Sequence, residues 1–384
     1  MLSRPSVEQL HIYSERIVGW TAEEETVHDV WQDLPSLREL FVCRYSIPIE
    51  KLTAPNLIHL ALEHTGSNRN VTIQSVLDML CGCPLLETLL IIYSGVWRGT
   101  THDHSPVHLP NLRSLELGPY EVRCGLTTYL RFPSNVAAGF RTLLLNDVCR
   151  SVPPAVMAAM QHVLGRVDIR RITLAAPPRP DGKTEFLIRF EGLQGSLEIT
   201  AARSARTHAQ VRNVLFSQEG VLFSHSPRID GVRELHIVGC SFEDGQGFYH
   251  ISTAMPNLAS ISFFQCKGHN LLGLLAAINP SSPPFPHLER VMVLGQESGL
   301  REIAKARRDH DVPLKTLVVG RVPGGFEHDR LEDYTELGQL VDDLRIGCPT
   351  EILEWETGNE ILNIWSAINV SGPVSPNANL IVLG

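Results

Sequence analysis

The residues best suited to chemistry are His102-Asp103-His104, with His108 close behind. Imidazole and carboxylate are the ligands of zinc and related metals. In an extended chain alternate side chains share a side, so His102 and His104 face together. The run lies among Thr, Ser and Pro, however, and reads as an exposed polar insertion rather than a metal site. Cys81-x-Cys83 ends at Pro84, is one residue shorter than the redox Cys-x-x-Cys spacing, and has no second pair after it. These cysteines read as small buried residues. Gly245-x-Gly247 and Gly324-Gly325 belong to no complete phosphate-binding motif. No Gly-x-Ser-x-Gly elbow is present. The expectation is a protein with no enzyme activity, no cofactor and no metal.

Charge narrows the partners. Lys and Arg total 33 against 42 for Asp and Glu, giving a net charge of −9. Nucleic acid demands concentrated positive charge, so it is not the expected partner. The most basic stretch, Arg301, Lys305, Arg307 and Arg308, is interrupted by Glu302 and Asp309 and reads as a solvated helix face. No apolar run approaches the ~18 residues that span a bilayer, so no membrane partner is expected. The N-terminus lacks the apolar core and cleavage site of a secretory signal. The eight cysteines therefore read as reduced thiols, and the expected location is cytoplasmic or nuclear.

The elements come from a recurring phrase, Pro-x-Leu-x-x-Leu-x-Leu. It reads L-P-S-L-R-E-L-F-V from Leu34, A-P-N-L-I-H-L-A-L from Ala54 and C-P-L-L-E-T-L-L-I from Cys83. It returns from Leu109, Met255 and Phe285. Its central apolar residues are Leu10, Leu40, Leu60, Leu89, Leu115, Leu143, Leu235, Ile261, Val291 and Leu317, with weaker copies at Ile172 and Leu197. In Ser114-Leu115-Glu116-Leu117 the leucines share one strand face and the polar residues the other. One copy is too short to bury its leucines, so copies must stack.

Helical patterns lie between the phrases: 72–80 with Thr72 as N-cap and Gly82 as stop, Pro153 to Met160, Gln210 to Phe216, Asn270 to Ile278, Leu300 to Arg308, and Leu331 to Leu344. Trp20 to Trp31 reads as a first connecting helix. Residues 351–384, with Glu351 to Ser366 at their head, read as a C-terminal cap. About a dozen units, mostly near the 20–29 residues of a leucine-rich repeat, give one irregular domain over 1–384. The predicted fold is an α/β leucine-rich-repeat solenoid, a horseshoe with a parallel inner sheet and outer helices.

The phrase from Leu34, the run Val76 to Leu89 and L-P-N-L-R-S-L-E-L-G-P-Y from Leu109 resemble the leucine-rich-repeat region of fungal F-box proteins, particularly those of mushroom-forming fungi. The resemblance covers nearly the whole chain. It implies a non-catalytic substrate receptor for a ubiquitin ligase. The F-box itself, which docks a Skp-type adaptor, opens on Leu-Pro-x-Glu-Ile/Leu, and nothing in Met1 to Pro35 matches it. A Skp-type adaptor is thus a partner only if an F-box lies outside this chain. The alternative is a stand-alone repeat scaffold or enzyme regulator with no ubiquitin link. Leucine-rich repeats often carry Asn or Cys five residues after the central leucine; Cys240 and Cys266 fit, while the asparagine ladder of secreted receptor repeats is missing, which implies an irregular intracellular subtype.

Either way the expected partner is a protein, met by the strand residues that point away from the core. These are Glu39, Phe41, His59, Leu90, Glu116, Glu234, His236, Arg290 and Met292, with Ala61, Thr88, Ser114, Ser260, Ser262, Thr316 and Val318 beside them. Phe41 and Met292 stand out, because an exposed apolar anchor on a concave surface is costly without a partner.

Overall fold

The computed structural model describes residues 7–13, 34–43, 49, 52–63, 72–92, 105–142, 154–175, 185–202, 229–239, 245–264, 285–294, 299–320 and 331–347. The chain forms two compact units, Met1–Ile169 with Arg189–Ala201, and Arg170–Ile188 with Ala202–Gly384.

The first unit carries β1 (Gln9–Tyr13), β2 (Glu39–Cys43), β3 (His59–Glu63), β4 (Thr88–Ile92), β5 (Val107–His108), β6 (Ser114–Leu117), β7 (Leu130–Arg131) and β8 (Ala137–Thr142). Its parallel ladder runs β1-β2-β3-β4-β6-β8 and then β11 (Ser196–Ala202). The pair β5 and β7 forms a separate two-stranded parallel sheet. A turn over 193–195 joins β10 (Glu185–Gly192) to β11, and so short a connection makes them antiparallel. Both glycines of that turn are required by close approach. A Cβ on Gly192 would lie 2.5 Å from the Val167 side chain, and one on Gly195 2.5 Å from the Ser134 carbonyl oxygen.

The second unit carries β9 (Ile169–Ala175, from Arg170 on), β12 (Glu234–Val238), β13 (Ser260–Phe264), β14 (Arg290–Leu294), β15 (Thr316–Gly320) and β16 (Asp343–Gly347), paired in parallel in that order. Both units are thus α/β with mainly parallel ladders.

The phrase explains the ladders atom by atom. Each begins with a turn in which the N–H of the first leucine donates to a carbonyl three residues back: Leu37 to Leu34, Leu57 to Ala54, Leu86 to Cys83, Leu112 to Leu109, Leu258 to Met255 and Leu288 to Phe285. Proline suits the turn because its φ is preset and its missing N–H is not needed there. The chain then enters the strand by donating two successive N–H groups to one carbonyl of the preceding copy. Glu87 and Thr88 share Ile58 O, Arg113 and Ser114 share Glu87 O, and Glu289 and Arg290 share Ala259 O. Asparagine after the proline adds a third link. Asn56 Nδ2 donates to Pro35 O at 2.6 Å, Asn111 to Pro84 O at 3.2 Å and Asn257 to Asp230 O at 2.9 Å. The repeat does have an asparagine device, placed at the turn instead of after the strand.

Leu10, Leu40, Leu60, Leu89 and Leu115 stand opposite one another along the first ladder. Ile172, Leu235, Ile261, Val291, Leu317 and Leu344 do so along the second. Apart from the half-buried Leu10 and Leu344, these residues are buried.

Helices are fewer than strands among the described residues. They are α1 (Ile73–Cys81), α2 (Pro119–Arg123), α3 (Leu126–Tyr129), α4 (Pro154–Leu164), α5 (Gly245–Ala254), α6 (Leu300–Asp309) and α7 (Leu331–Leu340). Thr72 caps α1 as its sequence predicts: Ser75 N–H donates to Thr72 Oγ1 at 3.1 Å, and Thr72 N–H donates back to Ser75 Oγ at 2.9 Å. The apolar stripe Ile73, Val76, Leu77 and Leu80 is buried.

Three expectations change. The predicted helix over Leu331 to Leu344 ends at Leu340, and Leu344 stands in β16, opposite Leu317. The partner of Leu115 is Ala138 and not Leu143, because the turn Pro133-Ser134-Asn135 starts that strand early. Leu143 itself lies outside the described residues. Ile172 and Leu197 do not follow β8 in chain order; β11 pairs with β8, and β9 with β12. The predicted helices at Gln210 to Phe216, Asn270 to Ile278 and Trp20 to Trp31, and the cap at 351–384, fall outside the described residues.

Replacing Leu115 by Ala should cost about 2–5 kcal/mol in urea denaturation, as buried leucine truncations do. Glu116→Ala, on the opposite face of the same strand, should stay within about 0.5 kcal/mol. Equal stabilities for the two variants would refute the register.

Candidate interaction surface

The first, third and fifth residues of each strand turn away from the leucine row. In the first unit the first and third remain accessible over neighbouring strands, while of the fifth Cys43 and Ile92 are buried and Glu63 is half-buried. Glu39 stands opposite His59, His59 opposite Thr88, and Thr88 opposite Ser114. The next row runs His11, Phe41, Ala61, Leu90, Glu116 and Gly139. Glu39, Phe41, Leu90 and Glu116 are half-buried, and His59 is exposed. His11 and Phe41 pack as tilted rings with centroids 5.9 Å apart. The register therefore brings five of the nine expected residues together, Glu39, Phe41, His59, Leu90 and Glu116. With Ala61 and Glu63 they form an apolar strip of Phe41, Ala61 and Leu90 bordered by Glu39, Glu63 and Glu116.

The second unit differs. Its first strand positions are polar and partly accessible, and Arg171 Nη2 meets Glu234 Oε2 at 2.6 Å. Arg290 is half-buried in the same row. The third and fifth positions are closed along the ladder from β9 to β15, whereas Arg345 of β16 is exposed. Thr173, His236, Ser262, Met292 and Val318 are buried, with His236 at 5% and Met292 at 2% exposure. Ala175, Val238, Phe264, Met292, Leu294 and Val318 form one apolar cluster, against which Leu187 of β10 packs. His236 stacks on Phe264 with ring centroids 5.9 Å apart. The expectation that His236 and Met292 face solvent is thus overturned, and Ser262 and Val318 go with them. For Met292 and Val318 the cause is composition: R-V-M-V-L and T-L-V-V-G lack the polar alternation of the first unit, and strands apolar on both sides are buried on both sides. E-L-H-I-V and S-I-S-F-F keep that alternation, yet their His236 and Ser262 are buried beside these strands.

Glu234 is held at about 2, well below its usual 4.5, chiefly by His236 beside it, then by Arg171, with burial opposing. His236 Nε2 approaches to 3.7 Å, whereas Arg171 makes the closer contact. A carboxylate whose folded pKa is depressed contributes stability that is present above its ordinary pKa and lost as pH falls through the folded value.

The basic stretch is not the simple solvated face its sequence predicts. Arg301 pairs with Glu336 at 2.6 Å, and Arg308 donates to the Gln339 carbonyl. Arg307 is buried and donates to the carbonyls of Phe285 at 3.3 Å and Leu288 at 2.8 Å. Burial pushes its pKa down to about 10. Phe285 has φ +56°, a left-handed conformation that a bulky L-residue adopts only under constraint. Arg307 supplies that constraint by holding the carbonyl.

Cys83 is buried as expected, Cys81 is exposed, and the thiols of Cys83 and Cys124 are held protonated. Burial pushes Cys83 up to about 11 and Cys124 to about 12. Each thiol donates to a backbone carbonyl, Met79 at 3.4 Å and Glu121 at 3.0 Å respectively. His108 lies exposed on β5, while His102, Asp103 and His104 fall outside the described residues. Among the described residues no helix is long and apolar enough to cross a membrane. No protein-family model, no curated protein and no solved structure matches the chain.

Two outcomes follow. Glu234→Gln should flatten the acid limb of stability, because wild type alone loses stability between about pH 4.5 and 2. Urea midpoints at pH 7, 4 and 3 measure this, and parallel pH profiles would contradict the ion pair. Arg307→Lys should cost about 1–3 kcal/mol, because an ammonium does not reproduce the fork that serves two carbonyls; an unchanged urea midpoint would contradict that role.

Proposed function

We propose that the chain is a non-catalytic protein-binding module, a leucine-rich-repeat solenoid of the horseshoe type, resembling the substrate-recognition repeats of an F-box ubiquitin-ligase adaptor. The observation that carries this reading is the row Phe41, Ala61 and Leu90 with its acidic border. These residues come from three consecutive strands of the first unit and stay accessible while the leucines behind them are buried. An apolar centre with a charged rim is the anatomy of a protein interface. Binding here would position a target and change no bond. Glu39, His59 and Glu116 set the polar contacts, and Phe41 and Leu90 supply the apolar anchors. Glu234 and Arg290 belong to the polar row of the second unit and are secondary. The setting would be cytoplasmic or nuclear.

The test uses the complete gene product in its source cell. Affinity purification should recover a Skp-type adaptor together with a target protein. Leu90→Arg should reduce target recovery at least about tenfold, as loss of an interface anchor does, and leave the adaptor bound. A target recovered without any Skp-type adaptor would replace the ubiquitin reading with that of a scaffold or regulator. Unchanged target recovery by folded Leu90→Arg would remove this surface from consideration.

A further inference from the structure

Three basic side chains of the first unit converge on one short turn. Arg166, just past the end of α4, lays its guanidinium over the Phe132 ring, 5.1 Å from the centroid. Its Nη1 donates to the Phe132 carbonyl at 2.6 Å. His162, one helical turn earlier, meets the same ring edge-on at 5.7 Å. Its Nε2 lies 3.0 Å from the Leu130 carbonyl. Arg131 Nη1 donates to that carbonyl at 3.3 Å and to the Thr128 carbonyl at 3.0 Å. All three side chains are therefore fixed on backbone carbonyls between Thr128 and Phe132.

Among the described residues none of the three has a carboxylate within ion-pair distance, in a chain whose net charge is −9. Burial lowers the pKa of His162 and of Arg166; for His162 the bond to the Leu130 carbonyl opposes this, and Arg166 and Arg131 lower it further, as Arg131 does for Arg166. The C-terminus of α4 offers about half a negative charge, which does not balance two permanent cations. Both guanidiniums spend Nη1 on the turn. Among the described residues Nε and Nη2 of each have no hydrogen-bond partner, and none of these atoms is fully buried. Uncompensated like charges held close together destabilise the free fold, and they are relieved when an anion enters. Planar guanidinium forks fit tetrahedral oxyanions two donors at a time.

We propose that this turn is a binding site for a tetrahedral dianion, a phosphate or a phosphate monoester, held between Arg131 and Arg166 with His162 as third donor. His162 Nε2 keeps the Leu130 carbonyl, and Nδ1 takes up a proton when the dianion binds. The site stands independently of the apolar row, and either can fail without the other.

Full-length protein should be titrated with inorganic phosphate and, in parallel, with a blocked phosphoserine, against chloride at matched ionic strength. The His162 imidazole resonances and the melting temperature are the readouts. The expected result is a saturable rise in the His162 pKa and a phosphate-specific rise in Tm. Both should weaken about tenfold or more in Arg131→Gln and in Arg166→Gln. Equal affinity for the two ligands marks free phosphate as the natural occupant, and tighter binding of the monoester marks a phosphate carried on a larger molecule. Either order supports the site. If Arg166→Gln does not fold, Arg131→Gln and the His162 titration of wild type decide. No phosphate-specific change in wild type overturns the proposal, and so does full binding by folded Arg131→Gln.

Discussion

The described fold depends on a carbonyl shared at the mouth of the strand, found at β2, β3, β4, β6, β13, β14 and β15. One copy of the phrase makes a turn and a strand of about five residues, which neither buries its leucines nor satisfies its own backbone. The next copy solves both problems by donating two N–H groups to one carbonyl of its predecessor. That bond fixes register, register sets the leucines of successive copies opposite one another, and the leucine row makes the core. Asn56, Asn111 and Asn257 reinforce the same step from the turn. Stability here is a nearest-neighbour property, so a fault in one copy is felt mainly by the copies beside it.

With the leucine side committed to the core, the other strand face is where the two units part ways. In the first unit polar and apolar residues mix across that face, and it stays accessible. In the second the same geometric positions hold Val238, Phe264, Met292, Leu294 and Val318, and become a second core layer. A polar residue caught in such a layer needs neighbours suited to it. His236 has Phe264 on its ring and Glu234 at its edge, and Glu234 in turn has Arg171. The same strand positions are thus largely accessible in one unit and mostly core in the other.

Much of the fold was legible because the phrase repeats its physical causes. Proline, two spaced leucines and a polar residue between them specify turn, core and outward face wherever they recur. The leucine positions from Leu10 to Leu115 and from Leu235 to Leu317 line up in register as their spacing predicts. Misreadings arose where a copy was disguised. Phe132-Pro133-Ser134-Asn135 carries the turn, but Ala138 and Gly139 follow where leucine is expected. Asp343 to Gly347 sits so close behind a helix that it reads as its continuation. The surface was half legible. Strict inside-outside alternation fails in β14 and β15, whose apolar runs V-M-V-L and L-V-V signal burial on both faces, whereas nothing in S-I-S-F-F announces that Ser262 is buried. Arg307 was misread for a related reason: nothing local distinguishes it from Arg308, and only the left-handed turn at Phe285, distant in sequence, gives it carbonyls to hold.

One strand face is largely surface in the first unit and mostly core in the second. Arginine placed at equivalent positions tests it directly, with Ala61→Arg in the first unit and Val318→Arg in the second, each followed by thermal and urea denaturation. The account predicts a near-native melting curve for Ala61→Arg and loss of cooperative folding for Val318→Arg, where a charge would enter an apolar layer. Comparable stability of the two variants would contradict it.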